Sequence, residues 1–390
     1  MGSWQQSLLI ALVCTLGVRL FLTVYMAGIS ILFPEPGLAE QYGAVGVPIL
    51  DSGLEGALLG VWQREDALWY EKIATSGYGS GDMSVGYFPL YPALMGLLAR
   101  ATSIPVVAAG ILVSELALVA ALFLLHRLLI PRFGIETANR TLVYLSLFPS
   151  AFFLHGPFAE SLMLMLAILG FWLVSRGRLV EAMVVAYLGG LTRPQGILLG
   201  LPLALEWLFD DSSLLQLRSA LWHRKALLKG LALLLAPLLG LLTFGLLVDT
   251  HWLRPGFSGA EGPMSRQSLA IPGAALVNAA QLILAGRAFP IDLYDFTLAV
   301  GFLVLAVATT FKQKVSYVAY AFLFLMTPLA RYSPIFPLMS FSRYALLLFP
   351  CFVVLACWGR RKWVHLTVIF LWLWWLAVWS AKFYTGYFVG

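Results

Sequence analysis

The sequence predicts an all-α protein, a polytopic bundle of transmembrane helices, and two observations support that class. The chain has 390 residues, of which 61% are hydrophobic and 11% charged, and a soluble protein could not cover so much apolar surface. Apolar runs of about 20 residues, the length that a spanning helix needs, recur along the chain. Because the strands of a membrane barrel are shorter and alternate in polarity, these runs indicate helices. We expect one integral membrane domain over residues 1–390 with about 9–11 spanning helices.

The first apolar run covers residues 7–32. No basic segment precedes it and no small-residue cleavage site follows it, so it is predicted to be a retained span. A long, less apolar and mostly acidic stretch follows at residues 33–87. It is too polar to span the membrane and is predicted to be an outer loop.

This outer loop is predicted to carry one amphipathic helix at about residues 53–76. Ser52 and Glu55 have the spacing of a capping box at its start, and Gly77 and Gly79 supply a stop. Arg64, Glu71 and Lys72 fall mostly outside its apolar face. That face consists of Leu58, Trp62, Asp66, Trp69, Tyr70 and Ile73. Tryptophan and tyrosine are typical of the membrane interface, so we expect the helix to lie there with Asp66 among aromatic side chains.

Clusters of arginine and lysine predict the orientation of the spans. Five short connections carry such clusters, around residues 127–140, 176–178, 218–229, 312–314 and 360–362. All five can be cytoplasmic if residues 88–100 form a helix that does not cross and residues 180–208 form a broken hairpin. The outer loop and the segments "HGPFAES", 249–292 and "RYSPIFPLMSFSR" then face outward.

Four motifs follow one another over roughly residues 60–350. They are "DALWYEKIATSGY" with "YFPLYP", then "LFPSAFFLHGPFAESLML", "GGLTRPQGILLGLPL" and "SFSRYALLLFP". In this order the chain resembles the PIG-V type of membrane mannosyltransferases, a family with the GT-C glycosyltransferase fold. One position departs from the pattern, because the family has a tryptophan directly before the aspartate where this chain has Glu65.

The resemblance implies a GT-C-like fold and the transfer of a sugar, most often mannose, outside the cytoplasm. The donor would be a polyprenyl-phosphate sugar and the acceptor a lipid or glycan. The membrane would be the plasma membrane of a prokaryote, or the endoplasmic reticulum of a eukaryote. Neither a cofactor nor a nucleic acid is expected as a partner, and any metal dependence is left open.

Such a transfer needs a base for the acceptor hydroxyl and positive charge at the leaving phosphate. Asp66 is the predicted base, with Glu65 as its competitor, and one carboxylate is enough for an inverting displacement. The residues predicted to bind substrate are Trp62, Trp69, Tyr70, Tyr91, His155, Glu160, Arg193, Gln195, Arg343 and Tyr344. Arginine is the best phosphate ligand among them, because its planar fork binds two oxygens at once.

Plainer structural roles stand beside these predictions. Arg193 and Arg343 also fit interfacial snorkelling or an ion pair, and Glu160 fits the first turn of a helix, where the dipole favours an acid. His155 also fits a structural hydrogen bond. Arg19, inside the first span, is costly unless it is paired, with Glu115 as a conceivable partner.

Two other functions compete with glycosyl transfer. A transporter or flippase would use intramembrane charges such as Arg19, Glu115 and Glu206 together with the broken segment at "TRPQG". A non-catalytic subunit of a glycan-assembly pathway would explain the departure at Glu65.

Overall fold

The computed structural model describes residues 4–34, 45–79, 82–209, 224–248, 268–333 and 336–386. They belong to two compact units. Unit 1 is Met1–Met165 with Trp358–Val389, and unit 2 is Leu166–Cys357. The sequence-based expectation of a single domain stays a prediction.

Unit 1 is built from helices. Its helices are α1 (Trp4–Leu32), α2 (Gly53–Leu58), α3 (Asp66–Ser76), α4 (Leu90–Thr102), α5 (Val106–Phe133), α6 (Ile135–Ser146), α7 (Phe152–His155), the start of α8 (Glu160–Ser175) and α17 (Lys362–Tyr384), with 3₁₀ turns at Gly60–Trp62 and Met83–Gly86. The first span is therefore confirmed as a helix. Helix α4 covers the segment predicted not to cross, and 13 residues rise only about 20 Å, less than the roughly 30 Å hydrocarbon core.

Unit 2 is also helical in the part of the chain that the structure describes. After the rest of α8 come α9 (Leu179–Gly190), a 3₁₀ turn (Pro194–Leu199), α10 (Gly200–Leu208), α11 (Arg224–Leu247), α12 (Ala274–Leu284), α13 (Pro290–Thr309), α14 (Val315–Leu329), α15 (Phe341–Ala345) and α16 (Phe349–Trp358). The strands β1 (Ser268–Leu269) and β2 (Arg331–Tyr332) pair antiparallel. The break predicted around "TRPQG" is confirmed, because α9 ends at Gly190 and α10 begins at Gly200.

Five of these helices are long and apolar enough to cross a membrane. The five are α1, α5, the Lys225–Leu247 part of α11, α13 and α17. Five shorter apolar helices accompany them, namely α8, α9, α12, α14 and α16. The predicted all-α class is confirmed and the chain is an integral membrane protein, while the number of spans stays a prediction.

The long helices bury one side and leave the other to lipid. In α1, Ala11 and Leu22 are completely buried, whereas Leu16 and Leu20 are exposed. The buried side packs against α5, α6 and α17. A bundle of this kind needs no polar outer face, because hydrocarbon surrounds it.

Glycines allow the close approach of α11 in unit 2. A Cβ added at Gly190 would lie 2.1 Å from the carbonyl oxygen of Pro237, and one at Gly200 would lie 2.5 Å from that of Leu234. Only glycine fits at such contacts, which is the usual way that membrane helices pack closely. The broken pair α9 and α10 is thereby fixed against α11.

The predicted continuous helix over residues 53–76 is wrong in detail. The chain forms α2, the turn Gly60–Trp62 and α3 instead, with Glu65 between them at a φ of +50°. Gly60 lets the chain between the two helices lie against Leu50, since a Cβ there would be 1.7 Å from the carbonyl oxygen of Leu50. Trp62 and Asp66 therefore do not share one continuous helix.

The two ends of this predicted helix have different outcomes. Ser52 occupies the N-cap position of α2 but makes no side-chain capping bond, so the capping box is wrong. Gly77 ends α3 at a φ of +78°, and its N–H donates to the carbonyl of Ile73, so the glycine stop is confirmed. The expectation that Arg64 and Glu71 lie away from the buried face is also wrong, because they are only 1% and 8% exposed.

Candidate active site

Asp66 is the first residue of α3 and is partly buried. An acid in the first turn is stabilised by the helix dipole. The preceding residue, Glu65, has φ +50° and ψ −128°, a conformation that glycine adopts easily and other residues adopt at a cost. Strained backbone of this kind is concentrated at functional sites, so the turn that presents Asp66 is a candidate catalytic feature.

Tyr87 holds the carboxylate of Asp66. Its hydroxyl donates to Oδ1 of Asp66 over 3.0 Å. The ring of Tyr87 stacks on Trp69, with centroids 6.0 Å apart, and meets Tyr70 edge to face at 5.3 Å. Asp66, Trp69 and Tyr70 are thus brought together as predicted, but around a tyrosine that the sequence reasoning did not select.

Tyr91 continues this group toward the interior. Its ring lies 5.0 Å from that of Tyr70, and its hydroxyl bonds to the carbonyl of Gly110 at 2.9 Å and to Ser114 Oγ at 2.8 Å. Burial raises the pKa of Tyr91 well above its usual value, and the charge of nearby Glu160 raises it further. Tyr91 is completely buried, so in this structure it acts as a support for the aromatic group.

Glu160 is the first residue of α8 and is completely buried. It belongs to the surroundings of Tyr91 in unit 1. The turn before it is tight, because Ser161 Oγ donates to the carbonyl of Leu154 over 2.6 Å. A Cβ at Gly156 would lie 2.8 Å from the Trp62 ring, so this glycine lets the "HGPFAES" turn lie against Trp62.

A second polar group in unit 1 surrounds Arg19. The guanidinium of Arg19 lies 3.7 Å from the carboxylate of Glu115, donates to the carbonyl of His155 over 3.0 Å, and lies 5.0 Å from the centre of the Trp62 ring. His155 Nδ1 and Glu115 Oε1 are 2.9 Å apart. The conceived pairing of Arg19 with Glu115 is therefore present, and it stabilises a charge that would be costly in a span.

His155 and Trp62 are both completely buried in this second group. Their contacts are those of structural residues, a hydrogen bond to Glu115 for His155 and a cation–π contact with Arg19 for Trp62. Their predicted roles in substrate binding stay predictions.

Gln63 anchors the turn that precedes Asp66. Its side-chain oxygen accepts from the N–H of Leu50 over 2.8 Å, and its nitrogen donates to the carbonyl of Pro48 and to Glu71 Oε2, both over 2.9 Å. Burial raises the pKa of Glu71 to about 7, although the bond from Gln63 lowers it. The outer loop is thus tied together through a carboxyl group that titrates near neutral pH.

The opposite end of the loop is held by an ion pair. Lys72 Nζ lies 2.8 Å from Asp82 Oδ2 and 5.2 Å from the centre of the Trp69 ring. The lysine lowers the pKa of Asp82 against a contribution from burial that raises it. Tyr78 also donates to the carbonyl of Tyr87 over 2.8 Å, which fixes the segment that carries the partner of Asp66.

Unit 2 contains a basic aromatic group around Tyr344. The guanidinium carbon of Arg193 lies 6.0 Å from the centre of the Tyr344 ring, and that of Arg331 lies 5.1 Å from it. Arg193 Nε donates to Gln195 Oε1 over 3.4 Å. Three predicted residues, Arg193, Gln195 and Tyr344, are thus brought together, and Arg331 is added to them.

Arg343 lies beside Tyr344 in the short helix α15 and is 5% exposed. Helix α15 begins after Ser340, a non-glycine residue at a φ of +66°. The N–H of Ser342 donates to the buried Asp295 Oδ1 over 3.3 Å. A carboxylate on α13 therefore fixes the backbone of the arginine-bearing segment, a contact that sequence reasoning missed.

The third intramembrane charge of the sequence analysis, Glu206, is also paired. Lys314 Nζ lies 3.1 Å from its Oε1, and the hydroxyl of Ser316 donates to its Oε2. Pairs of this kind hold helices together inside a membrane. Arg254 and Arg266, in the segment 249–292 that is predicted to face outward, lie outside the described residues.

Tyr87 and Asp295 are the main residues that the sequence reasoning missed. Tyr87 is the first residue of the motif "YFPLYP", and its place in that motif could have marked it as a candidate. Asp295 lies inside an apolar span, as Arg19 does. An ionisable residue in such a place is costly unless it has a partner, so it could have been selected from the sequence. Within the described ranges, no group of three His, Cys, Asp or Glu residues could hold a metal ion.

Comparisons with known proteins leave the family open. No protein-family profile and no curated protein matches the chain. A solved structure that it resembles is "Crystal Structure of ArnT from Cupriavidus metallidurans bound to Undecaprenyl phosphate", with 14% identity and a TM-score of 0.48 over 90% of this chain and 76% of that one. A likeness of this size carries no argument, and the resemblance to PIG-V-type enzymes stays a prediction.

Proposed function

We propose that this protein is an inverting membrane glycosyltransferase that moves a sugar, with mannose as the first candidate, from a polyprenyl-phosphate donor to an acceptor outside the cytoplasm. The observation that carries the proposal is the carboxylate of Asp66, presented by a strained turn and held by Tyr87 among aromatic rings. The ordered motifs of the sequence support the same class.

Asp66 is proposed as the general base. Its carboxylate takes the proton from an acceptor hydroxyl, and that oxygen forms a bond to the anomeric carbon of the donor sugar. The bond from this carbon to the phosphate oxygen breaks, and its electron pair leaves with the phosphate. The hydrogen bond from Tyr87 orients the carboxylate, and the aromatic rings offer flat apolar surfaces for a sugar or a prenyl chain.

Within unit 2, the arginines around Tyr344 are proposed to bind the phosphate of a lipid-linked donor. Arg193 and Arg331 share the ring of Tyr344, and Arg343 is the residue directly before Tyr344. Positive charge in a poorly hydrated environment stabilises developing negative charge more strongly than in water. The bidentate geometry of arginine suits a phosphate better than lysine would.

The test is sugar transfer by the purified protein in lipid nanodiscs. Polyprenyl-phosphate mannose and other polyprenyl-phosphate hexoses are supplied as donors, with a total lipid extract as acceptor. Asp66→Asn is expected to lower the rate by about 10²–10⁴-fold, whereas Glu65→Gln is expected to keep most of it. Transfer that survives both substitutions would refute the assignment of the base.

The arginines are tested by conservative substitution. Arg193→Lys and Arg343→Lys keep the charge but lose the fork, so they are expected to weaken transfer at a given donor concentration. Arg178→Lys is the matched control, because Arg178 is exposed and pairs with Glu181 in the first turn of the helix that follows it. Equal effects of all three changes would contradict a specific phosphate site.

The same assay separates the competing functions. A non-catalytic subunit should give no transfer with any donor and should lose nothing with Asp66→Asn. A transporter should move labelled lipid across a liposome membrane and depend on Glu115 or Glu206. Both residues are engaged in ion pairs, which favours a structural role for these charges.

A further inference from the structure

Three side chains of unit 1 form a charged group to which the reaction proposed above gives no role. They are Arg19 of α1, Glu115 of α5 and His155 of α7, and we call them the Arg19 group. Arg19 donates to the carbonyl of His155 over 3.0 Å and lies 3.7 Å from the carboxylate of Glu115. The same carboxylate lies 2.9 Å from Nδ1 of His155. Three helices therefore meet at one arginine, whose guanidinium is held in a fixed position.

The Arg19 group contacts the outer loop through Trp62. The guanidinium carbon of Arg19 lies 5.0 Å from the centre of the Trp62 ring, and a cation in that position is attracted to the ring. Trp62 is completely buried, and a Cβ at Gly156 would lie 2.8 Å from its ring. The ring of Phe383 in α17 also packs on it, with centroids 6.4 Å apart. The indole is thus held by α1, by α17 and by the turn before α8.

Backbone hydrogen bonds connect Trp62 to the strained turn that presents Asp66. The N–H of Arg64 donates to the carbonyl of Trp62 over 2.9 Å, and the N–H of Ala67 donates to the carbonyl of Arg64 over 3.1 Å. Glu65, at a φ of +50°, and Asp66 lie between these bonded residues. A strained conformation persists only where the surrounding structure constrains it. Trp62, four residues before Asp66, supplies one such constraint.

We propose that Arg19 is a positioning residue for the reaction. Held by Glu115 and His155, it fixes Trp62 and thereby the turn that places the carboxylate of Asp66. The position of this carboxylate matters, because a displacement of about 1 Å in an active site can lower the rate by about 10²-fold. This inference rests on the proposed function and assigns a role in it to a charge inside the first span.

The test removes both charges of the group in one variant, Arg19→Met with Glu115→Gln. No buried charge is then left without a partner, which is the costly case, and the glutamine oxygen can still accept the hydrogen bond from the histidine. The matched control is Lys314→Met with Glu206→Gln, because these two residues form a similar ion pair in unit 2. Both variants are compared with the wild type, as full chains in lipid nanodiscs, by amide hydrogen exchange and by sugar transfer.

Amide exchange of the peptide covering residues 60–68 measures how firmly the turn is held. The Arg19 variant is expected to exchange these amides about 10-fold faster, because the cation–π contact with Trp62 is lost, whereas the control should exchange them like the wild type. Peptides of α5 should be unchanged in both, which separates a release of the turn from general loosening. If the Arg19 variant has a lower melting temperature, Arg19→Lys replaces it. Lysine keeps the charge but lacks the planar fork that bonds a carbonyl while it lies over a ring.

In the transfer assay, the Arg19 variant is expected to lower kcat by about 10-fold or more with little change in the KM for the donor, because the base is displaced while donor binding is kept. Unchanged exchange of the turn, a change in KM alone, or an equal loss in the control would overturn the positioning role. Faster exchange in a protein that shows no transfer with any donor would support the constraint on the turn and refute the proposed function. A wild-type kcat in the Arg19 variant would support the function and refute the positioning role.

Discussion

Glu71 is expected to make the outer loop more stable at low pH than at high pH, and Glu71→Gln should remove that dependence. Burial raises the pKa of Glu71 from 4.5 to about 7. Between these two pH values, the folded loop holds a proton that the unfolded loop has lost, so stability falls as pH rises. The loss is complete above about pH 7. At 1.36 kcal/mol per pH unit it amounts to roughly 3 kcal/mol.

The substitution keeps the local hydrogen bonding. The amide oxygen of a glutamine at position 71 can still accept from Gln63, whose side chain also holds the N–H of Leu50 and the carbonyl of Pro48. Only the charge is removed. The variant should therefore match the wild type near pH 4.5 and exceed it by up to about 3 kcal/mol at pH 8.

Amide hydrogen exchange of the peptide covering residues 45–60 measures this directly. After correction for the intrinsic rates, protection of the wild type should fall by about two orders of magnitude between pH 4.5 and pH 8. Glu71→Gln should show little change over that range. Glu55→Gln, at an exposed carboxylate of the same loop, is the control and should behave like the wild type. Equal pH dependence in wild type and Glu71→Gln would refute the reasoning.

Three further predictions concern single residues. Tyr87→Phe removes the hydrogen bond to Asp66 and should lower kcat by about 10-fold with little change in KM, and a change in KM alone would contradict an orienting role. Glu65→Gly should relieve the strained turn and raise the free energy of unfolding by about 1 kcal/mol, measured by thermal unfolding. A lower free energy of unfolding would show that contacts of the Glu65 side chain stabilise the fold more than its backbone conformation destabilises it. Gly190→Ala should destabilise the protein by about 1–3 kcal/mol through its contact with α11, whereas Gly301→Ala, which meets nothing within 4 Å, should be neutral or slightly stabilising.

Much of the fold could be predicted because it depends on local hydrophobicity. The first span, the short helix after "YFPLYP", the break at "TRPQG" and the stop at Gly77 are all set by residues near one another in the chain. The site could be predicted only in part. Asp66, Trp69 and Tyr70 do lie together, yet the group is organised by Tyr87, which is 21 residues from Asp66 and reaches it only through tertiary packing.

The sequence by itself determined that this chain is a helical membrane protein and which motifs deserve attention, because the length and period of apolar runs act within a single helix. The tertiary structure decided which polar residues are buried and what they bond. The helical pattern placed Arg64 away from the apolar face, but its guanidinium is held by the carbonyl of Tyr384, 320 residues away. Such bonds form only after distant helices have packed, so the hydrophobic periodicity of one segment cannot predict them.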